Sequence, residues 1–223
     1  CIRDRNNDAG VLPISPREAE LIAWIVTEGD MRVIFSKRKT NRKRRSDFDG
    51  GYWNVNITQY KEPYRIEIKR KFKDYISSEK KGRFHLKASK IKALFRKIGV
   101  SPLTLREKLP SIVTRLSSAA RAAMLWTMIK AEGWDDRGWW FSQKPNSVLD
   151  AFQILATLEG YRLSKGKWNK AGVFQQKLLL QRPFATVADM KIRDEKPQFM
   201  WCPITELGSW VSREGTQISI TGN

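Results

Sequence analysis

The sequence predicts an α+β fold built from two similar half-domains that are related by an approximate twofold axis. The run from Leu21 to Gly29 is repeated from Leu125 to Gly133, and each copy is an apolar, helix-like stretch that ends in Glu-Gly. A strand-like segment that ends in a Gln, a Lys and a Pro follows each copy, and a helix-like segment comes after it, so helices and strands recur in a similar order. A duplication of this size within one chain implies an internal twofold arrangement.

The composition points to a polyanionic partner. The 223 residues include 42 Lys and Arg against 23 Asp and Glu, which gives a formal net charge of +19. Such an excess is typical of proteins that bind nucleic acid rather than of proteins that bind membranes. No apolar run reaches the length of a membrane span, and no signal peptide is visible. Two cysteines do not make a disulfide framework, so we expect a cytoplasmic protein.

Both copies of the repeat carry helix-start signals. Ser15 and Glu18 form a capping box, and the apolar residues that follow recur at helical spacing. Ser117 or Ser118 can cap the second copy. Gly29 stands just past the first helix, where we expect a backbone with positive φ.

Small residues recur four positions apart within each copy, at Ala23 and Thr27 and at Thr127 and Ala131. Such pairs let two helix backbones approach closely. If the two helices pack along the twofold axis, Glu28 and Glu132 emerge side by side at one end. The alternative is two ordinary core helices with solvated terminal glutamates.

A strongly basic run follows the first helix and a strand-like segment at 31–36. Seven of the nine residues in this run are basic, and we interpret it as a hairpin tip. It is either a solvated or nuclear-targeting tract or a loop that grips phosphates. The basic residues are Lys37, Arg38, Lys39, Arg42, Lys43, Arg44 and Arg45.

The next strand has two chemically different faces. Trp53, Val55 and Ile57 alternate with Asn54, Asn56 and Thr58. Amides and hydroxyls are groups that read base edges in a major groove. Any antiparallel strand with one wet face would show the same alternation.

The remaining elements follow in order. Tyr64, Ile68 and Phe72 mark a helix, although the same region could be a strand. A strand at 83–86, which contains the lone His85, and a helix at 89–98 close the first half. The second half continues with a helix and with strands at 161–164 and 173–180. That helix is marked by Val148, Phe152, Leu155 and Ala156.

The two Glu-Gly copies resemble the paired motifs of single-chain LAGLIDADG homing endonucleases, over about 15–182. The resemblance implies a linker at 1–14, half-domains at 15–115 and 116–182 with an αββαββα order each, and two antiparallel DNA-binding sheets. It also implies that Glu28 and Glu132, the last acidic residues of the motifs, hold Mg²⁺. The first acidic position of the motif departs from the family, with Val26 in one copy and Lys130 in the other.

The same resemblance implies further catalytic residues and a DNA partner. A Gln and a Lys in each half support the metals, which points to Gln59 and Lys61 and to Gln143 and Lys144. The spacing differs by one residue between the halves, and these residues could instead be ordinary turn residues before a proline. The expected partner is double-stranded DNA with a long pseudo-palindromic site, cut by a monomer. Candidate base or backbone contacts are Asn54, Asn56, Thr58, Gln175 and Lys177.

The tail at 183–223 resembles the C-terminal splicing segment of an intein, class 3-like, which is a short β segment of a Hint-type domain. Cys202 would be the splicing nucleophile, and Thr221 and the terminal Asn223 would complete the segment. Without the resemblance, Cys202 would be a small buried residue and the last three residues a frayed end.

The N-terminal splicing half of an intein is not recognisable here, since about a dozen residues precede the first helix cap, too few for several packed strands. We expect either the C-terminal piece of a split intein, which needs an N-terminal intein fragment as partner, or a chain without its N-terminal half, in a phage or prokaryotic host. Two other functions stay open. One is a catalytically degenerate DNA-binding protein or RNA maturase, and the other is mainly trans-splicing.

Overall fold

The described residues of the first half form four strands and three helices. The structure is a computed structural model that describes residues 10–34 and 52–179, together with the backbone of 180, 209–214 and 217–222. The elements are α1 (Pro16–Glu28), β1 (Gly29–Ile34), β2 (Tyr52–Thr58), α2 (Glu62–Lys71), β3 (Ile76–Lys80), β4 (Arg83–Leu86) and α3 (Ala88–Ile98).

A linker helix, α4 (Leu105–Val113), leads into a second half with a similar order of elements. A separate antiparallel hairpin follows, with strands β10 (Ser209–Glu214) and β11 (Gln217–Gly222). The elements of the second half are α5 (Ser118–Glu132), β5 (Gly133–Asp135), β6 (Trp139–Gln143), α6 (Ser147–Leu158), β7 (Tyr161–Leu163), β8 (Lys167–Trp168) and β9 (Phe174–Leu180).

Each half forms one antiparallel sheet, and the two sheets have matching strand orders. The first sheet runs β1-β2-β4-β3 and the second β5-β6-β9-β7, with the short β8 also paired to β9. The predicted α+β fold with two antiparallel sheets is confirmed. The second sheet differs from a four-stranded sheet by β8, which forms where the chain between β7 and β9 folds back on β9.

Helices α1 and α5 make the most extensive helix–helix contact among the described elements. Both are buried on nearly every side, as expected for helices at the centre of a molecule. The predicted capping box of Ser15 and Glu18 is present, and Ser117 caps α5 by accepting from the Ala120 N–H. The helices therefore begin where the sequence signals place them.

Some predicted elements have different bounds. The segment with the ambiguous pattern is a helix, α2, which has Pro63 in its first turn and buries Ile68. Strand β1 begins at Gly29 rather than at residue 31 because α1 passes into it without a connecting turn. The first half has the implied αββαββα order, in which β3 fills a place that no local pattern marked. The described part of the second half ends with three strands, β7, β8 and β9, and does not show the closing helix that this order implies. Helix α4 was not predicted.

Candidate active site

Glu28 and Glu132 are the last residues of α1 and α5, the two central helices that contact each other. Both side chains are half-buried. The next residue in each copy opens β1 or β5, so each glutamate lies where a central helix meets its sheet. The charge of Glu132 raises the pKa of Glu28, so the two carboxylates are close enough to repel each other.

The glycines that follow the two glutamates permit a very close backbone approach. Their backbones are extended, with φ −94° at Gly29 and −109° at Gly133, so the predicted positive φ at Gly29 is wrong. A Cβ at Gly29 would lie 2.0 Å from the carbonyl oxygen of Ile25. At Gly133 it would lie 2.5 Å from the Ile129 carbonyl oxygen and 2.4 Å from that of Trp140. The missing Cβ is therefore what these two positions require.

The surroundings of the two carboxylates disfavour their negatively charged form. Burial, and after it the charge of Glu132, raise the pKa of Glu28 to about 7, although Lys61 acts in the opposite direction. Burial also raises the pKa of Glu132, again against Lys61. Repulsion between neighbouring carboxylates acts on both of them, so the protonation of one depends on the charge of the other.

Lys61 and Gln59 lie beside this pair, at the turn between β2 and α2. The Lys61 ammonium is the cation that lowers the pKa of both glutamates. The backbone N–H of Lys61 donates to Oε1 of Gln59 at 2.9 Å. Gln59 is 4% exposed, and its Nε2 has no acceptor in the described part of the chain. The structure thus brings Lys61, as predicted from the first half, to the carboxylates of both halves.

Gln143 and Lys144 occupy the equivalent turn in the second half, between β6 and α6. The backbone N–H of Lys144 donates to Oε1 of Gln143 at 2.9 Å, a bond to the adjacent residue, whereas the bond at Gln59 spans two positions. Lys144 and Lys61 are both exposed, and the lysine that lowers the pKa of the two carboxylates is Lys61. The catalytic roles of Gln143 and Lys144 stay predictions.

The two positions where the motif departs from the family have different environments. Val26 is buried, and Lys130 pairs with Glu67 on α2 of the other half, with Nζ at 2.7 and 3.0 Å from the two carboxylate oxygens. Arg106 on α4 donates from Nε to the Val26 carbonyl oxygen at 3.0 Å and from Nη2 to that of Gly29 at 2.7 Å. This guanidinium satisfies carbonyls at the end of α1, next to Glu28. No local pattern in the sequence marks this contact.

The outer face of the first sheet is the side opposite the buried Trp53, Val55 and Ile57, and it carries Asn54, Asn56 and Thr58 as predicted. Asn56, however, is 0% exposed, and neither polar atom of its side chain has a partner in the described part of the chain. Its side chain can therefore touch DNA only if its covering residues move. Asp30 and Arg83 form an ion pair at 2.9 Å on the same face, which the sequence reasoning missed.

The outer face of the second sheet carries Gln175 and Lys177, both half-buried. The Lys177 ammonium donates to the carbonyl oxygen of Arg137. Next to Lys177 stands Trp140, which pairs across the strands with both Lys177 and Trp134. The two tryptophans were not predicted as part of this face, because β5 is only three residues long and shows no alternation.

Some predicted residues lie outside the described residues. These are the seven basic residues of the run at 37–45, together with Cys202 and Asn223. The backbone of Thr221 is in β11, paired with that of Trp210. The splicing roles of Cys202, Thr221 and Asn223 therefore stay predictions.

The described residues contain neither a cluster of metal-binding side chains nor a membrane-spanning helix. No group of three or more His, Cys, Asp or Glu side chains lies close enough in this part of the chain to hold a metal ion. The candidate metal centre is thus a pair of carboxylates. None of the described helices is long and apolar enough to cross a membrane.

No protein-family model matches this chain, and no curated protein matches its sequence. Its fold is similar to the crystal structure of I-DmoI in complex with DNA and Mn, with a TM-score of 0.47 and 15% identity over 74% of this chain and 89% of the other. It is also similar to mesophilic variants from the homing endonuclease I-DmoI, with a TM-score of 0.48 and 16% identity over 74% and 89%. Identities this low say nothing about individual residues.

Proposed function

We propose that this protein is a DNA endonuclease of the LAGLIDADG type, which cuts both strands of a duplex with Glu28 and Glu132 as holders of Mg²⁺. One observation carries the proposal: each half contributes one half-buried carboxylate, at the end of the central helix that contacts its counterpart. Two scissile phosphates on opposite strands need two such groups, related by a twofold axis.

The carboxylate pair suits a divalent cation. Among the described residues, no hydrogen bond or ion pair satisfies Glu28 or Glu132, and the pKa of each is raised above the usual glutamate range. A cation between them would relieve their repulsion. Mg²⁺ prefers oxygen ligands and keeps several waters, so one or two carboxylates are enough protein ligands. When bound, the metal supplies charge neutralisation at the phosphodiester oxygens and activation of water.

The neighbouring residues of this chain have their own roles in the proposal. Lys61 places a positive charge near both carboxylates, where it stabilises negative charge that develops on a phosphate. Gln59 is held by its hydrogen bond to the backbone of Lys61, and its Nε2 group is available to donate a hydrogen bond. We assign it the positioning of a water or a phosphate oxygen.

The two sheets would provide the DNA-binding surface. A chain of net charge +19 favours a polyanion. Because both halves lie in one chain, we propose that a monomer binds a long, pseudo-palindromic site, with one half-site under each sheet. A cytoplasmic location, in a phage or prokaryotic host, belongs to the same proposal.

The test is cleavage of supercoiled plasmid DNA that carries a library of candidate sites, with Mg²⁺ or with EDTA. We expect Mg²⁺-dependent linear product from the wild type and none from Glu28→Gln or Glu132→Gln. Glu107→Gln, an exposed residue on α4, is the matched control and should cut normally. Full cleavage by both glutamine variants would refute the metal assignment.

A second candidate is a catalytically degenerate DNA-binding protein or RNA maturase. The departures at Val26 and Lys130 favour it, since both replace an acidic position of the motif. Filter binding of duplex DNA and of structured RNA, beside the cleavage assay, separates the two. Tight binding without any metal-dependent nicking would favour this candidate.

We further propose that the tail is a C-terminal intein segment that splices in trans with a separate N-terminal intein fragment. In this proposal the Cys202 thiolate attacks the upstream splice junction, which breaks the peptide bond there and holds the upstream segment as a thioester on Cys202. A hydroxyl or thiol of the residue that follows Asn223 takes over this acyl group and releases the thiolate. The side-chain amide of Asn223 then attacks its own carbonyl and breaks the bond to the downstream segment, and an acyl shift to the freed amine joins the two segments by a peptide bond. Thr221 would support the attack by Asn223. Mixing the chain with N-terminal fragments should give a ligated product, and Cys202→Ala should give none; trans-splicing as the main activity would appear as ligation without DNA cleavage.

A further inference from the structure

The outer faces of the two sheets present different chemistry at equivalent positions. In the first sheet, Asp30 pairs with Asn56, directly after the register pair that contains Gly29. In the second sheet, Trp134 pairs with Trp140, directly after the pair that contains Gly133. At equivalent positions, the first sheet therefore carries a carboxylate and an amide, and the second sheet carries two indoles.

The next strand inward continues this difference. His85 pairs with Asn56 in the first sheet, and Lys177 pairs with Trp140 in the second. Thus the central part of the first outer face is made of hydrogen-bonding groups. The central part of the second is made of Trp134, Trp140, Lys167 and Lys177, which we call the indole face.

The indole face is a packed aromatic and cationic cluster. The rings of Trp134 and Trp140 are stacked, with an interplanar angle of 5° and centroids 5.7 Å apart. Nζ of Lys167 lies 4.7 Å from the centroid of the Trp140 ring, and that of Lys177 lies 6.0 Å from it. Cation–π contacts of this kind hold the ring in one orientation.

This cluster offers carbon atoms rather than hydrogen bonds to a ligand. The Trp140 indole N–H donates to the carbonyl oxygen of Asp136 at 3.2 Å and is therefore already used. Trp134 is 36% exposed although its ring is apolar. In the major groove, the one apolar group that distinguishes a base pair is the C5 methyl of thymine.

We infer that the indole face reads thymine methyl groups of double-stranded DNA, so that the half-site under the second sheet is marked by 5-methylpyrimidines. This inference rests on the proposed function. The two lysines that lie over the Trp140 ring place positive charge beside the indoles, which complements the phosphates that flank such a base and favours DNA over an apolar protein surface. The first sheet has no such cluster at the equivalent positions, where Asn56 is covered and Asp30 pairs with Arg83.

The test compares two duplexes that differ only in the methyl group, alternating poly(dA-dT) and poly(dA-dU). We expect the wild type to bind the thymine duplex at least about fourfold more tightly, which corresponds to about 0.8 kcal/mol for one buried methyl group. Fluorescence anisotropy with each polymer as competitor measures the ratio. Duplexes with cytosine or 5-methylcytosine should show the same direction.

The variant Trp140→Asn places the residue of the equivalent first-sheet position in the indole face, and it should bring the ratio close to one. Trp134→Asn, at the edge strand, is the second variant in case the first does not fold. Trp168→Ala is the matched control, because Trp168 is 59% exposed but pairs with Phe174 on the other face of the sheet. This control should keep the wild-type ratio.

The outcomes separate the inference from the proposed function. Equal binding of both duplexes by the wild type, or a preference that both asparagine variants keep, overturns the inference and leaves the endonuclease proposal standing. Tighter binding of single-stranded poly(dT) than of duplex, or self-association that Trp140→Asn removes, also overturns it. Failure to bind any duplex refutes the proposed function itself.

Discussion

At the scale of single residues, the structure holds two like charges in a partly buried place. Glu28 has a pKa of about 7, so near neutral pH the pair is poised between keeping and losing a proton. Such an arrangement weakens the folded state and strengthens the attraction for a cation. Groups with perturbed pKa values cluster at functional sites for this reason.

Glu28→Gln should make the protein more stable at pH 8 and leave its stability unchanged near pH 4.5. The folded pKa of about 7 lies above the ordinary value of 4.5, so the folded protein holds a proton that the unfolded chain has released between these values. Stability of the wild type therefore falls as the pH rises through this window. After allowance for partial exposure, we expect a gain of about 1 to 2 kcal/mol at pH 8.

Chemical denaturation at the two pH values measures this gain. Glu107→Gln, on the exposed side of α4, should change neither value. A Glu28→Gln variant that is less stable than the wild type at pH 8 would contradict the proposed origin of the raised pKa.

At the scale of elements, the junction between a central helix and its first strand is the tightest feature of each half. The chain passes from α1 to β1, and from α5 to β5, with no intervening residue. The glycine at each junction lets the strand start against the last turn of the helix. This geometry keeps each glutamate beside the sheet that would hold the DNA.

Gly133→Ala should destabilise the fold by about 3 kcal/mol, since the new Cβ would meet two backbone carbonyl oxygens that cannot move independently. Thermal unfolding would measure the loss. Gly10→Ala is a matched control with open space around the new Cβ, and it should have almost no effect. An equal and small effect of both substitutions would show that the junction can relax.

Features that depend on neighbouring residues could be predicted from the sequence, whereas contacts between residues far apart in the chain could not. The capping residues Ser15 and Glu18 act over three positions, so their pattern alone identified the start of α1. The requirement at Gly29 was misassigned to φ because the clash that excludes a side chain comes from folded backbone geometry. Arg106 was missed because its partners lie about eighty residues away, and no local pattern marks such a contact.

The same distinction holds for the candidate site. Glu28 and Glu132 could be predicted because each ends one copy of a motif that occurs twice in the sequence. Lys61 acts on both halves, which depends on how α2 lies against the central helices and cannot be read from spacing. The burial of Asn56 was likewise invisible to an alternation pattern, which separates two faces but not a covered face from an open one.

At the scale of the whole molecule, the two halves share one core and differ in surface chemistry. Buried residues of both halves form a single hydrophobic cluster. The Lys130–Glu67 ion pair joins α5 of one half to α2 of the other. A common core with unlike outer faces is suited to a target whose two half-sites are related but not identical.

Binding of duplex DNA should weaken steeply with salt, by about a thousandfold between 50 and 200 mM, because each neutralised phosphate releases counterions. Replacing Lys43, Arg44 and Arg45 by Gln should lower the salt slope by up to about three. Lys90→Gln is the matched control, since α3 covers the core face of the first sheet through the contact of Phe95 with Trp53. Titrations at several salt concentrations give the slopes, and equal slopes for all three proteins would argue against the basic run as a phosphate contact.

Helix α4, which connects the two halves, contacts both of them. Arg106 fastens this helix to the end of α1, while the rest of α4 packs on α6 of the second half. In the proposed endonuclease, this connection would help the contact between α1 and α5 to keep the two carboxylates at a fixed separation, and with it the stagger between the cuts in the two strands. Inserting residues after Val113 should then leave that stagger unchanged, whereas Arg106→Ala should loosen the end of α1 and make the positions of the two cuts less uniform.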